Sequence, residues 1–272
     1  MPPDPATART FPGVESLATP TDELIAERDG PVVWLTFNRP EKHNAMSGEM
    51  MRGLGELALD WGADSEIRVV VLQGAGERAF ISGADIGQLD NGIDDGRSTG
   101  NRPAMFPIAK PVIAMIQGYC IGGGLAMAME ADLRIATPDS VFAIPAGRLG
   151  VAYPNDAVDR LVAMVGATHA SHLLLTAERI DAPRALTIGL LNEVVERDRL
   201  RERAAELAAL IAGNAPLSMT AAKLSILASI GGGQDADRRR AEQAARDCWL
   251  SDDFAEGRRA FAEKRPPKWS GR

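Results

Sequence analysis

The sequence predicts an α/β fold: an α/β core followed by a helical C-terminal region. Short β-branched apolar runs of strand length recur through the first half of the chain. Stretches of helical periodicity separate them. From Asn155 onward the strand-like runs give way to consecutive helical patterns with short breaks. Strands alternating with helices argue for a sheet covered by helices, and the run of helices after them argues for an appended layer.

Residues 1–20 (MPPDPATARTFPGVESLATP) hold five prolines and little apolar periodicity, so they read as a disordered leader. "PVVWLTF" (31–37), "IRVVVLQ" (67–73), "PVIAMIQ" (111–117), "LRIAT" (133–137) and "VFAIP" (141–145) read as strands. Between the first two, Met50, Leu54, Leu57 and Trp61 fall on one helical face, with Ser47 placed as N-cap. A second helix is expected after Gly122–Gly124. "NDAVDRLVAMVG", "THASHLLLTAE", "APRALTIGLL", "LRERAAELAALIAGN" and "PLSMTAAKLSILASI" read as helices, and the charged last segment ends in the helical "FAEGRRAFAEKRPPKW". The expected organisation is a leader over 1–20, a core over 21–205 and a helical region over 206–272. The Gly- and Asp-rich stretch 87–103 reads as a long mobile loop, with Asp90, Asp94 and Asp95 as solvated residues.

The 272 residues are 45% hydrophobic and 25% charged, an ordinary globular balance. A net charge of −7 argues against a nucleic-acid partner but leaves room for a local basic patch that holds a small anion. Two distant cysteines, Cys120 and Cys248, suggest a reducing, cytoplasmic setting without a disulfide framework. No apolar run reaches the ~18 residues of a membrane span. His43, His169 and His172 show no metal spacing with carboxylates, so no metal site is expected.

"SGADIGQL" (82–89) and "IGGG" (121–124) carry the most suggestive chemistry. Each offers small residues whose backbone N–H groups are free to point outward. Two such donors from separate loops can converge on one oxygen, as in an oxyanion hole, and a following helix adds its positive end. The plainer alternative is a pair of turns permitting close packing. The glycines do not match a dinucleotide fingerprint, since the third glycine position falls on Met127, and the chain has no G-K-[ST]. Cys120 reads as a buried small residue rather than a nucleophile. Glu130, one turn after Ala126, either sets a carboxylate behind the glycines or is a polar residue at a core edge or subunit contact.

"NRPEKHNAMS", "GERAFISGADI", "KPVIAMIQGYCIGGGLAMAMEADLRIA", "LTAERIDAPRALTIGLLNEVV" and "EGRRAFAEKRPP" follow one another in an order that resembles the enoyl-CoA hydratase/isomerase (crotonase) superfamily over roughly residues 22–268. The resemblance implies a crotonase-like spiral of ββα units, a helical trimerisation region, and a homotrimer or dimer of trimers. It implies an acyl-CoA ligand, with coenzyme A arriving as a thioester rather than as a permanently bound cofactor. It places the oxyanion N–H groups at Ala84 and Gly123. Lys42, Ala45, Asp85 and Ile86 match the segments that wrap coenzyme A, and Phe261 and Lys264 match the tail that reaches a neighbouring subunit's nucleotide.

The chain departs from the family pattern at the two positions where catalytic glutamates are typical. Ala126 follows the glycine triplet, and Ala146 follows the proline of "FAIPAG". Hydration needs a positioned water and a proton delivered to the α-carbon, and each missing acid–base group costs about 10²–10⁴ in rate. The stretch "IPAGRLGVAYP" resembles methylmalonyl-CoA decarboxylase-like members, in which an L-G-V-x-Y carries a functional tyrosine, here Tyr153. Tyr153 is equally readable as a pocket wall. Asp156 is either a displaced acid or the N-cap of the next helix, and the cap is the expected role. Three functions fit: an enolate-stabilising acyl-CoA enzyme with non-standard acid–base groups, a non-catalytic acyl-CoA-binding protein, and a hydratase whose carboxylates come from elsewhere.

Overall fold

In the computed structural model the described residues are 14–85, 87, 105–230 and 235–272. Ile86 and nearly all of the 87–103 loop, including Asp90, Asp94 and Asp95, lie outside them. The large sheet runs β1 (Glu15–Leu17), β2 (Leu24–Asp29), β3 (Val32–Phe37), β4 (Val69–Gly74), β6 (Val112–Ile116), β8 (Leu133–Ala136), β11 (Glu193–Val194). β1 to β3 pair antiparallel, and β3 through β11 pair parallel. A smaller sheet runs β10 (Ile180–Asp181), β9 (Val141–Ala143), β7 (Tyr119–Ile121), β5 (Ala79–Ile81). Successive strand pairs β4–β5, β6–β7 and β8–β9 each put one strand in either sheet, and the last two are followed by α2 (Gly123–Glu130) and α3 (Ala146–Leu149). This is the expected spiral of ββα units.

The large sheet is covered on both faces, which is why its strands read as unbroken apolar runs. Val33, Leu35, Phe37, Val70, Leu72, Ala114 and Ile116 join the main core with α1 (Gly48–Ala63). Their alternates Val32, Trp34, Val69, Val71, Ile113 and Met115 pack under α6 (Leu200–Ala212). Ala204, Ala208 and Ala212, four apart on one α6 face, let that helix lie close to the sheet. On α1, Ser47 accepts a cap hydrogen bond from the Met50 amide, and Met50, Leu54, Leu57 and Trp61 are all buried.

Three boundaries differ from the sequence reading. Glu15–Leu17 is not part of a disordered leader but pairs with Ala26–Arg28 as an edge strand, since an edge strand needs backbone partners more than apolar periodicity. The expected 205/206 boundary falls inside α6, whose alanine face belongs to the core. The two helices expected after Asn155 form one, α4 (Asn155–Thr176), kinked at Gly166. After α5 (Ala182–Thr187) and α6 come α7 (Pro216–Ile230), α8 (Asp235–Leu250) and α9 (Asp252–Glu263). No single described helix is long and apolar enough to cross a membrane.

Candidate functional site

Three loops build the site. The first follows β3, where a 3-10 turn (Pro40–Lys42) leads to His43 and Asn44, both left-handed. Asn44 holds this conformation from within. Its side-chain oxygen accepts from the Arg39 amide (3.0 Å), and its side-chain nitrogen donates to the Ala75 and Ala79 carbonyls (3.0 and 2.8 Å). Arg39 is buried and donates to the Ala45 carbonyl (2.7 Å) while pairing with Asp85 (2.9 Å) and Glu23 (3.0 Å). Lys42, half exposed, adds a contact to the same Asp85 oxygen (3.1 Å). Hydrogen bonds from Arg39 and then Lys42 hold the Asp85 carboxyl below the usual carboxylate range, against a smaller opposing effect of burial. Asp85 is therefore an ionised pin between the first loop and the second.

The second loop follows β5. The Met46 amide donates to Gly83 O (2.8 Å), and the Asp85 amide donates to Met46 O (2.9 Å). Successive amides alternate in an extended chain, so these two bonds turn the Ala84 N–H to the opposite side. That side faces the third loop, the glycine turn after β7. The Ala84 nitrogen is 3.5 Å from where a Cβ on Gly123 would stand.

In the glycine turn, Gly122 has φ +53°, in the left-handed range that glycine adopts without strain, and its amide donates to Ala143 O (2.8 Å). α2 starts at Gly123, whose amide belongs to the first helical turn and has no intrahelical acceptor. A side chain at Gly124 would collide with the Ile81 carbonyl, so glycine there allows α2 to begin against β5. The Ala84 and Gly123 amides thus sit side by side at the positive end of α2. Two backbone donors close together at a helix N-terminus are able to bind one oxygen.

The side chains around these donors are apolar. Ala126 is buried, Ala146 is half-buried at the first position of α3, and the Met46 sulfur lies 3.8 Å from the same Cβ position on Gly123. Cys120 is fully buried, and burial pushes its thiol pKa upward, which leaves it no nucleophile. Glu130 does not face the glycines. Its carboxylate accepts from the Met105 and Phe106 amides (2.8 and 2.9 Å), and burial raises its pKa. Asp156 is not the cap of α4: Pro154 occupies that position without a side-chain bond, and Asp156 sits in the first turn. The proline already fixes an extended entry there, and an acid in the first turn meets the helix dipole without capping. The Asp156 charge is felt at both Tyr153 and Glu130, where it raises each pKa by a minor contribution.

Tyr153 turns inward and donates its hydroxyl to the Gly122 carbonyl (3.0 Å). Burial raises its pKa, so it stays a protonated donor. Ala45 is half-buried beside Arg39, whereas Phe261 and Lys264 are exposed on and just after α9, whose main packing partner is α8. Among the described residues no three His, Cys, Asp or Glu side chains gather as a metal site. The roles of Arg39, Asn44 and Glu23 escaped the sequence reading. The only local trace of Arg39 and Asn44 is the string "NRPEKHNA", in which a buried arginine looks no different from an exposed one, and Glu23 lies outside it.

A family model described as enoyl-CoA hydratase/isomerase matches residues 27–272. The chain is 34% identical over 250 residues to a short-chain-enoyl-CoA hydratase of Clostridium acetobutylicum, covering 90% of this chain and 96% of that protein. It is 33% identical over 261 residues to a carnitinyl-CoA dehydratase of Citrobacter koseri, covering 93% and 100%. The crystal structure of an enoyl-CoA hydratase from Mycobacterium tuberculosis H37Rv matches with a TM-score of 0.82 at 31% identity, over 93% of this chain and 100% of that one.

Proposed function

Because the chain belongs to the enoyl-CoA hydratase/isomerase family, we propose that it acts on an acyl-CoA thioester by stabilising an enolate oxygen between the Ala84 and Gly123 amides, without the usual pair of glutamates. One observation carries this reading. The two amides stand together at the start of α2, while the positions expected to supply acid–base chemistry are the alanines 126 and 146. Such a site favours reactions whose main demand is charge stabilisation at the thioester oxygen. Decarboxylation of a malonyl-type thioester asks least of the side chains. The bond to the carboxylate carbon breaks, its electron pair enters the enolate, carbon dioxide leaves, and solvent returns a proton to the α-carbon.

In this reading Lys42 and Ala45 line the path of coenzyme A, and Asp85 holds that path in shape through Arg39. Phe261 and Lys264 serve a neighbouring copy in a homotrimer or dimer of trimers. Exposed Ile226, Trp249, Leu250 and Phe261 on α7 to α9 support such self-association. A non-catalytic acyl-CoA-binding protein is the rival reading, and a hydratase whose carboxylates come from elsewhere is the other.

Incubation of the protein with crotonyl-CoA and, separately, with methylmalonyl-CoA, followed by mass spectrometry of the thioesters, tests the proposal. Loss of carbon dioxide from the second supports it. Rapid hydration of the first would overturn it in favour of displaced carboxylates. Tight binding of both without product would leave the non-catalytic reading. The double substitution Ala126→Glu with Ala146→Glu is expected to raise crotonyl-CoA hydration above the unsubstituted protein.

A further inference from the structure

We propose that Tyr153 is a positioning residue for the oxyanion hole: its hydroxyl clamps the Gly122 carbonyl and thereby keeps the Gly123 N–H aimed at the thioester oxygen. The inference rests on the Ala84/Gly123 reading above and adds to it the group that holds one donor in place.

The argument begins with the peptide bond. Gly122 C=O and Gly123 N–H belong to one planar unit, and the described chain contains no cis peptide, so the two point in opposite directions. Whatever fixes the carbonyl therefore fixes the amide. This unit is flanked by glycine on both sides, so no Cβ resists its rotation. Left alone, it is the part of the hole most able to turn its donor away. Two bonds oppose that rotation. Ala126 N–H donates to Gly122 O (3.0 Å) as the first bond of α2, and Tyr153 O–H donates to the same oxygen (3.0 Å). The helical bond follows from the fold, but the tyrosine bond is a separate tether from a different segment.

Tyr153 is well placed to act as a rigid tether. Pro154 follows it and restricts its backbone to extended conformations. Its ring packs against the main core. The preceding peptide is held as well, by Gly122 N–H donating to Ala143 O (2.8 Å). A donor on a carbonyl also polarises the whole peptide and strengthens its N–H as a donor, so the same bond bears on both aim and strength. The tyrosine need not touch the acyl group to matter. A hydroxyl committed to Gly122 O is also not free to donate to the substrate.

The probe is butyryl-CoA carrying ¹³C at the thioester carbonyl, a saturated ligand with no double bond to hydrate and no carboxylate to lose. Isotope-edited infrared difference spectroscopy on the full-length protein reads the carbonyl stretch. In the unsubstituted protein the stretch is expected to move to lower wavenumber on binding. In Tyr153→Phe that shift is expected to shrink, while affinity for free coenzyme A, which places no carbonyl in the hole, stays within about twofold. A second readout does not depend on removing the hydroxyl. The chain has 2 tyrosines, so Tyr119→Phe leaves Tyr153 alone, and 3,5-difluorotyrosine incorporated there makes the phenol a stronger donor while preserving its packing. The shift is then expected to exceed that of the unfluorinated Tyr119→Phe protein, which a purely space-filling role of Tyr153 would not produce. An unchanged shift in Tyr153→Phe or on fluorination overturns the proposal and leaves the oxyanion reading intact. No shift on binding to the unsubstituted protein overturns both.

Discussion

The loops around the glycine turn and the C-terminal helices solve opposite problems. Around the turn, the chain spends buried polar groups on fixing backbone. Arg39 and Asn44 are 6% and 0% exposed, and their contacts fix the first loop from within and tie it to neighbouring segments. At the C-terminus buried carboxylates do a similar job for the tail. Asp253 accepts from the Ser270 and Gly271 amides, and Glu256 accepts from Arg265, Arg259 and the Lys268 amide. Yet the outer faces of the same helices leave large apolar side chains in water, with Trp249 68%, Leu250 86% and Phe261 87% exposed. The first region is complete within one chain. The second is anchored from beneath and unfinished above, as a surface for self-association would be.

The sharpest way to break the first region is Arg39→Ala. It leaves Glu23 without its cation and Asp85 with only the half-exposed Lys42, and it removes a donor from Ala45 O, so a loss of about 3 kcal/mol is expected. Urea unfolding measures it, and a change below about 1 kcal/mol would mean that the three loops are held mainly by packing. Gly124→Ala comes next. Its methyl meets the Ile81 carbonyl, a backbone atom that moves only with β5, and overpacking of this kind costs about 1–3 kcal/mol. Because the clash lies at the start of α2, acyl-CoA affinity should fall along with the melting temperature. Full affinity in this variant would show that the glycine turn does not form the binding site.

How much of this was readable in the residues depends on whether an element is defined locally. α1 was legible because Ser47 caps it and four apolar residues mark one face. β3, β4, β6 and β8 of the large sheet were legible because burial on both faces makes them continuous apolar runs, whereas β2, with its charged residues, was not read as a strand. β5, β7, β10 and β11 are two or three residues each, too short for any period, and exist only through their partners. β1 was hidden by the prolines around it. At the site, the residue types at Ala84 and Gly123 pointed to donors, but their convergence is tertiary. Tyr153 shows the limit most clearly. Its neighbours in sequence suggest a chemical role, and the bond that defines it reaches back 31 residues to Gly122.

A pH series separates the two regions. Hydrogen bonds from Arg265, the Lys268 amide and Arg259 hold the Glu256 carboxyl far below its ordinary value of 4.5 in the fold. The unfolded chain therefore takes up this proton first on acidification, and the stabilisation by Glu256 is present above about pH 4.5 and lost as the pH falls toward the folded value. Glu256→Gln should melt lower than the unsubstituted protein at pH 7, and the gap should narrow below pH 4.5. Acyl-CoA affinity per folded chain should be unaffected at pH 7 if the tail is independent of the glycine turn within one chain. A gap that stays constant with pH would mean that the tail is held by geometry rather than by charge.

The smallest expected effect on the isolated chain is the most informative about the second region. Trp249→Ser with Leu250→Ser removes two side chains that a single copy leaves mostly in water, so the folding stability of a monomer should change by only about 0.5 kcal/mol. Trp249 does lean edge-on against Phe254 at 5.0 Å, which sets a lower bound on the loss. If α8 and α9 meet other copies, the same substitution should shift the sedimentation mass toward the monomer while the urea midpoint of the monomer barely moves. It should also weaken acyl-CoA binding if Phe261 and Lys264 complete a neighbour's site. An unchanged mass with full binding would show that the apolar outer face of these helices is not where copies meet. The site would then be as complete in one chain as the loops that hold Ala84 and Gly123 together.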